Sequence, residues 1–209
     1  MVELIIKTDA DVAEGAAWLA AYDPRFAKAL KICGPLPLRR REDGFRELLS
    51  AITSQQLSVA SANAIWTRME AAGMCEPATI LAASDENFRA CGFSRQKISY
   101  AKDLAAADLD YIALRTLPSD EVMRQLIAIR GIGTWTAEVY VMFSLGRADV
   151  FAPGDLALQE AARMLFNLNE RPKEKSLRIM SENWTPWRSV AARLLWAYYR
   201  VAKEREGIR

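Results

Sequence analysis

Apolar residues recur at helical spacing along almost the whole chain, with polar residues between them. Alternation of period two is confined to a short run near Val2 to Lys7. This pattern predicts an all-α fold. The predicted helices cover Asp11–Tyr22, Pro24–Ile32, Gly44–Thr53, Ser58–Ala71, Pro77–Ala82, Asp85–Cys91, Arg95–Ala107, Ser119–Ala128, Thr134–Phe143, Asp155–Leu165, Lys173–Ser181 and Pro186–Glu204.

Polar residues mark where several of these helices begin. Ser58, Ser84 and Asp155 stand at N-cap positions, and two acidic residues follow Ser119 in a first turn. Glycine and proline lie mostly between the helices, and the chain has no low-complexity tract, fixed repeat or long linker. We therefore predict that residues 1–209 form one compact helical unit with two lobes, and that a cleft between the lobes holds the functional site.

The composition excludes several kinds of chemistry. The 209 residues contain no histidine, which removes Ser-His-Asp triads, histidine-ligated zinc and imidazole acid–base catalysis. Any catalysis must then use carboxylates, Lys, Tyr or Ser. The cysteines at positions 33, 75 and 91 lack the spacing of a disulfide framework or a zinc site, so we expect reduced, buried thiols.

The charge and the hydropathy of the chain indicate its environment. The formal net charge is only +2, so any basic surface for a nucleic acid must be local. The N-terminus has no signal-peptide pattern, and no apolar run approaches the ~20 residues of a membrane span. We expect a soluble cytoplasmic protein of bacterial type.

A tight glycine turn lies between two predicted helices, in the stretch Leu126–Ala137, which reads LIAIRGIGTWTA. Gly131 and Gly133 permit positive φ and the close approach of another backbone. The amides around Gly131, Gly133 and Thr134 then lie at a helix N-terminus, where the helix dipole suits a bound phosphate. The alternative is an ordinary turn between two packed helices.

This stretch resembles the helix-hairpin-helix motif of DNA repair glycosylases, Leu-x-x-Ile/Leu-x-Gly-Ile/Val-Gly-x-x-Thr-Ala. In that family the hairpin grips a DNA phosphate without reading sequence. The resemblance also implies a Na⁺ or K⁺ ion held by backbone carbonyls, which in this chain would be those of Ile127, Ile129 and Ile132.

A proline-glycine loop after the hairpin leads to Asp155, in Asp149-Val-Phe-Ala-Pro-Gly-Asp155. Taken alone, this residue is a plain N-cap. The order of hairpin, Gly/Pro-rich loop and aspartate resembles the HhH-GPD superfamily, in which that aspartate is catalytic. Cleavage of an N-glycosidic bond builds positive charge on the deoxyribose, and a carboxylate lowers that barrier and orients the attacking water. A base made cationic by alkylation needs no protonation, so the lack of histidine is no obstacle.

Two further positions of the superfamily pattern indicate which reaction and which cofactors to expect. Members that also cut the strand carry a Schiff-base lysine two positions after the second hairpin glycine, where this chain has Trp135. Members with an iron–sulfur cluster need four cysteines after the aspartate, and this chain has none beyond Cys91. The resemblance therefore implies a hydrolase without AP-lyase activity, without an iron–sulfur cluster or zinc, and without an organic cofactor.

Trp135 and the segment Trp184-Thr-Pro-Trp187 resemble the alkylpurine branch, the AlkA-like DNA-3-methyladenine glycosylase II family. This resemblance covers roughly residues 44–199. It implies a base pocket formed by Trp135, Trp184 and Tyr140, whose rings suit electron-poor methylated purines. The alternative is that Trp184 and Trp187 only close the core. The chain shows no sign of the N-terminal β-rich domain that broad-range bacterial relatives carry.

The stretch Phe45–Ser58 matches the helix-loop-helix whose glutamine-containing tip enters the minor groove in the same family. By that match Gln56 fills the hole that an extruded base leaves, and Gln55 and Leu57 contact DNA beside it. The alternative is that the two glutamines only cap helices. The basic turn at residues 92–97 is a second candidate for phosphate contact.

The sequence thus predicts a monomeric, monofunctional glycosylase that flips alkylated purines out of damaged double-stranded DNA and leaves an abasic site. One alternative is a non-catalytic helix-hairpin-helix module that only anchors DNA. A second alternative is a glycosylase for oxidised or deaminated purines.

Overall fold

The computed structural model describes residues 3–205, and within that range the chain forms thirteen helices and no β-strand. The predicted all-α class is confirmed. Val2, at the start of the short alternating run, lies outside the described residues, and residues 3–7 of that run form an isolated antiparallel bridge between Ile5 and Arg147. The helices are α1 Asp9–Tyr22, α2 Pro24–Cys33, α3 Phe45–Ser54, α4 Val59–Ala71, α5 Pro77–Ala82, α6 Asp85–Cys91, α7 Arg95–Ala106, α8 Tyr111–Leu114, α9 Ser119–Ile127, α10 Thr134–Phe143, α11 Leu156–Phe166, α12 Glu174–Glu182 and α13 Arg188–Arg205.

One helix was not predicted, the single turn α8. Four residues are too few to show a helical period, so the pattern of apolar positions carried no signal for it. The turn forms because the carboxylate of Asp110 accepts hydrogen bonds from the amides of Ile112 and Ala113. No helix within the described residues is both long and apolar enough to cross a membrane.

The chain divides into two compact units. The central unit is the continuous segment Arg41–Tyr140, and the terminal unit comprises the described residues up to Arg40 together with those from Val141 onward. The division falls inside α10. Cys75 and Cys91 are buried in the central unit as predicted, whereas Cys33, at the end of α2, is only half-buried.

The terminal unit is built from α1, α2, α11, α12 and α13. Phe26, Phe151, Phe166 and Trp184 form an aromatic cluster at its centre. Gly15 lets α1 approach this core, because a Cβ at that position would lie 2.6 Å from the Trp187 ring. The two chain segments of the terminal unit therefore share one hydrophobic core.

The central unit packs α3 against both α4 and α7, and α5 against α7. The apolar face of α3 buries Leu48, Leu49 and Ile52, which are almost fully inaccessible to solvent. Serine caps at Ser58, Ser84 and Ser94 fix where α4, α6 and α7 begin, and the first two confirm the predicted caps. These helices hold the loops described next.

Candidate functional site

The glycine turn joins α9 to α10 with a very tight reversal. The Ile132 amide donates to the Ile129 carbonyl at 3.0 Å, and the Gly131 backbone has a φ of 101°. A Cβ at Gly131 would lie 2.5 Å from Cγ of Tyr100, on α7. Glycine is therefore required at this position both by backbone conformation and by packing.

The second glycine acts differently from the prediction. Gly133 does not adopt positive φ, and a Cβ built there would meet no atom within 4 Å. Its carbonyl accepts the Ala137 amide at 3.0 Å, which makes Gly133 the residue just before the first turn of α10. The first-turn amides of α10 have no acceptor within the helix, and the absent side chain leaves room for a group to approach them.

The predicted cation ligands lie in the same turn. The side chains of Ile129 and Ile132 are buried, whereas Ile127 is exposed at the end of α9. The Ile129 carbonyl already accepts one hydrogen bond, and a carbonyl oxygen has a second lone pair. The three predicted ligands are neutral backbone oxygens, which suit a monovalent cation better than a divalent one that prefers carboxylates.

The predicted DNA-inserting tip is the loop between α3 and α4. Gln56 is exposed and adopts a φ of 57°, and Leu57 is 40% exposed beside it. Val59, at the start of α4, is 77% exposed and was not predicted. The tip loop and the start of α4 therefore present two apolar side chains, Leu57 and Val59, to solvent beside the polar Gln56.

Gln55, which is predicted to contact DNA, has a hydrogen-bond partner within the protein. Its side-chain amide donates to the Gly131 carbonyl at 2.8 Å. This hydrogen bond ties the tip loop to the glycine turn inside the central unit. Gln55 thus links the two predicted DNA-contacting loops, and its contact with DNA stays a prediction.

Lys97 braces the same loop from α7. Its ammonium donates to the Thr53 carbonyl in the last turn of α3 at 2.6 Å, and burial lowers the pKa of the Lys97 side chain. A cation at a helix C-terminus is favourably placed against the helix dipole. The sequence suggested this basic turn as a phosphate contact, but the lysine points into the protein.

Asp155 lies in the terminal unit, at the N-cap of α11. Its Oδ1 accepts the Leu158 amide at 2.9 Å, which confirms the predicted cap. The preceding loop is held by the buried Gln159, whose side chain donates to the Pro153 carbonyl at 2.8 Å. Oδ1 also accepts the indole N–H of Trp196 at 3.2 Å. The sequence analysis did not identify Trp196, because nothing local to α13 distinguishes it from a core residue.

The three residues predicted for the base pocket have different surroundings. Trp135 is 46% exposed near the start of α10, so its ring is accessible for stacking. Tyr140 is 3% exposed, and its hydroxyl accepts the Gly44 amide at 2.8 Å, so it fixes the start of α3 instead. Trp184 is 2% exposed and stacks on Phe166 at 5.8 Å, which corrects the pocket prediction in favour of the core alternative.

Comparison with known proteins identifies relatives of the whole chain. Residues 49–187 match the model of the HhH-GPD superfamily base excision DNA repair protein. DNA-3-methyladenine glycosylase 1 of Schizosaccharomyces pombe is 31% identical over 203 residues, covering 91% of this chain and 89% of that protein.

Solved structures agree with the sequence matches. A DNA-3-methyladenine glycosidase from Bacillus halodurans has a TM-score of 0.81 at 32% identity, covering 98% of this chain and 95% of the other. The 3-methyladenine DNA glycosylase of S. pombe, solved in complex with abasic DNA, has a TM-score of 0.75 at 32% identity, covering 88% and 95%.

Proposed function

Because this chain belongs to the HhH-GPD superfamily of base-excision DNA repair proteins, we propose that it is a monofunctional DNA glycosylase for alkylated purines. It flips the damaged base out of duplex DNA, hydrolyses the N-glycosidic bond and leaves an abasic site. The observation that carries this function is Asp155, held at the N-terminus of α11 in the order hairpin, Pro-Gly loop, aspartate. The S. pombe relative was solved with abasic DNA, the product expected of this reaction.

Asp155 supplies the charge that the reaction needs. As the base departs, positive charge develops on the deoxyribose, and a carboxylate fixed in place stabilises it without reorganising. The same group orients the attacking water and accepts a proton from it. A purine alkylated at N3 or N7 is already cationic in DNA, so it leaves without an acid catalyst, and the chemistry requires no organic cofactor.

The central unit supports binding of the duplex in this proposal. The first-turn amides of α10, around Gly133 and Thr134, take a phosphate. Gln56 and Leu57 enter the space left by the extruded base. The exposed Trp135 ring stacks on the cationic base through its π face.

The proposal includes a cation at the glycine turn. The carbonyls of Ile127, Ile129 and Ile132 would hold Na⁺ or K⁺, which would add a positive charge beside the bound phosphate. Trp135 stands where strand-cutting members carry a lysine, so we expect no AP-lyase activity. We expect the enzyme to act as a cytoplasmic monomer.

The experiment that tests the function measures release of 3-methyladenine and 7-methylguanine from methylated duplex DNA by the wild type and by Asp155→Asn. Asp149→Asn is the matched control, because Asp149 lies in the same loop region and pairs with Arg188 at 2.7 Å. We expect release by the wild type and the control, and a loss of at least about 100-fold in Asp155→Asn with DNA binding retained.

Other results would redirect the assignment. If the wild type binds DNA but frees no base from methylated duplex, the activity on alkylated purines is wrong. Duplexes with hypoxanthine or 8-oxoguanine then separate a glycosylase for other lesions from a non-catalytic anchor. Strand cutting that coincides with base release would contradict the monofunctional assignment.

A further inference from the structure

Trp196 joins α13 to the carboxylate of Asp155. The indole N–H donates to Oδ1 at 3.2 Å, and the same oxygen accepts the Leu158 amide from α11 at 2.9 Å. The two donors come from different helices, and α11 and α13 pack against each other. One carboxylate oxygen is therefore held by two N–H groups from separate parts of the terminal unit.

The indole of Trp196 packs against Phe143, which in turn packs against the guanidinium of Arg193. Its ring lies 5.7 Å from the Phe143 ring, and the guanidinium of Arg193 lies 4.7 Å from the centroid of Phe143. Arg193 is fully buried and donates to the carbonyls of Leu38 and Ser189. Burial lowers the pKa of Arg193 to about 10, so the side chain is still protonated at neutral pH. This cation cannot move without breaking several buried hydrogen bonds.

We propose that Trp196 is a positioning residue for catalysis, which fixes the plane of the Asp155 carboxylate. The inference rests on the proposed glycosylase function. The χ2 angle of aspartate is a soft torsion, so a helix cap alone leaves the carboxyl plane free to rock. A second donor from α13 removes that freedom.

The orientation of the carboxylate matters for the proton that the reaction releases. The C1′–N bond breaks with its electron pair leaving on the cationic purine, and the water oxygen bonds to C1′. The water proton passes to the carboxylate of Asp155. A small rotation of the carboxylate would misplace this acceptor.

The test uses Trp196→Phe, which removes the donor and keeps an aromatic ring. Trp18→Phe is the matched control, since Trp18 is also half-buried in the terminal unit and stacks on Tyr22. Both are measured for single-turnover release of 7-methylguanine and for affinity toward duplex DNA with an abasic-site analogue. We expect Trp196→Phe to slow release by about tenfold to 100-fold with unchanged affinity and thermal unfolding, and Trp18→Phe to behave as the wild type.

A double-mutant cycle separates positioning from a general packing effect. In the Asp155→Asn background, Trp196→Phe is expected to cause no further loss, because the negatively charged carboxylate that Trp196 positions is absent. If Trp196→Phe slows release equally in the wild-type and Asp155→Asn backgrounds, the inference is overturned. It is also overturned if the wild type is active and the single variant Trp196→Phe releases base at the wild-type rate. A wild type that frees no base overturns the proposed function and this inference together.

A closer replacement covers the case in which Trp196→Phe unfolds. Trp196→benzothienylalanine substitutes sulfur for the N–H at nearly constant shape, so the packing on Phe143 is kept. We expect this variant to fold and to show the same slowing. Wild-type release by the folded isostere would show that the hydrogen bond has no catalytic role.

Discussion

Two neighbouring tyrosines of the central unit differ in what their hydroxyls contact. The Tyr140 hydroxyl accepts the Gly44 amide, whereas the buried Tyr111 hydroxyl has no hydrogen-bond partner among the described residues. Burial raises the pKa of both phenols, that of Tyr140 to about 12. Burying the Tyr111 side chain therefore leaves its hydroxyl group without a hydrogen bond, which costs free energy.

We predict that Tyr111→Phe stabilises the protein, since it removes a buried donor and keeps the ring. The expected gain in the free energy of unfolding is about 1 kcal/mol, measured by urea denaturation at pH 7. Tyr140→Phe is the control, and it should lose stability because the Gly44 amide loses its acceptor. A destabilised Tyr111→Phe would indicate that the hydroxyl has a partner.

Tyr111→Phe should also change how the stability of the protein depends on pH in alkaline solution. A phenol whose pKa is raised on folding contributes stability that is present below its ordinary value near 10 and is lost as the pH rises toward the folded value. Wild-type stability should therefore decline above about pH 10, and Tyr111→Phe should decline less steeply over that window.

The elements that carry function here are short turns set between regular helices. In the hairpin, Gly131 is locked by its φ and by Tyr100, while Gly133 lies where an added methyl group would meet no atom of the protein. The physical reason for glycine therefore differs between the two positions of the motif. Gly131 is needed for folding, whereas no packing contact requires glycine at position 133, as expected if a DNA phosphate approaches there in the proposed function.

We predict that alanine has a different effect at each of these two positions. Gly131→Ala should lower the free energy of unfolding by about 2 kcal/mol or more, because a side chain is strained at that φ and meets Tyr100. Gly133→Ala should leave unfolding unchanged and weaken binding to duplex DNA. Thermal unfolding and a DNA titration of both variants check this, and an equally destabilised Gly133→Ala would contradict it.

Sequence periodicity predicted most helices and the caps at Ser58, Ser84 and Asp155, because those signals are local. It could not predict partners from distant segments. Trp184 is enclosed by Phe26, Phe151 and Phe166, which come from two ends of the chain. Tyr140, Gln55 and Trp196 likewise acquire their roles from acceptors or donors more than 40 residues away. A motif indicates which residues matter, and tertiary contacts decide which of them face a ligand.

At the scale of the whole molecule, two basic side chains near the predicted DNA-contacting loops, Arg130 and Lys97, are already engaged. Arg130, in the hairpin, donates to Asp103 at 2.6 Å and lies against Tyr100, and Lys97 donates to the Thr53 carbonyl. The formal net charge of the chain is only +2. Backbone amides must therefore carry much of the phosphate binding, with little help from a broad electrostatic field.

This predicts a weak salt dependence of DNA affinity. Each phosphate neutralised by a cationic side chain contributes about 0.9 to the slope of log K against log salt, so we expect a slope no steeper than about −3. The measurement is a titration of duplex with an abasic-site analogue at several KCl concentrations. A slope near that of six or more neutralised phosphates would contradict this account of the DNA-binding surface.

The division of the chain also determines the order in which the molecule can assemble. The central unit is continuous in sequence, so its contacts close locally, whereas α1 and α2 of the terminal unit must meet α13 across the whole of Arg41–Tyr140. Loop-closure entropy grows only logarithmically, by about 0.6 kcal/mol per doubling of length, so this insertion has little effect on equilibrium stability. It does raise the contact order, which slows folding. During synthesis the unit that contains Asp155 must therefore wait for α13, long after the hairpin and the tip loop have been made.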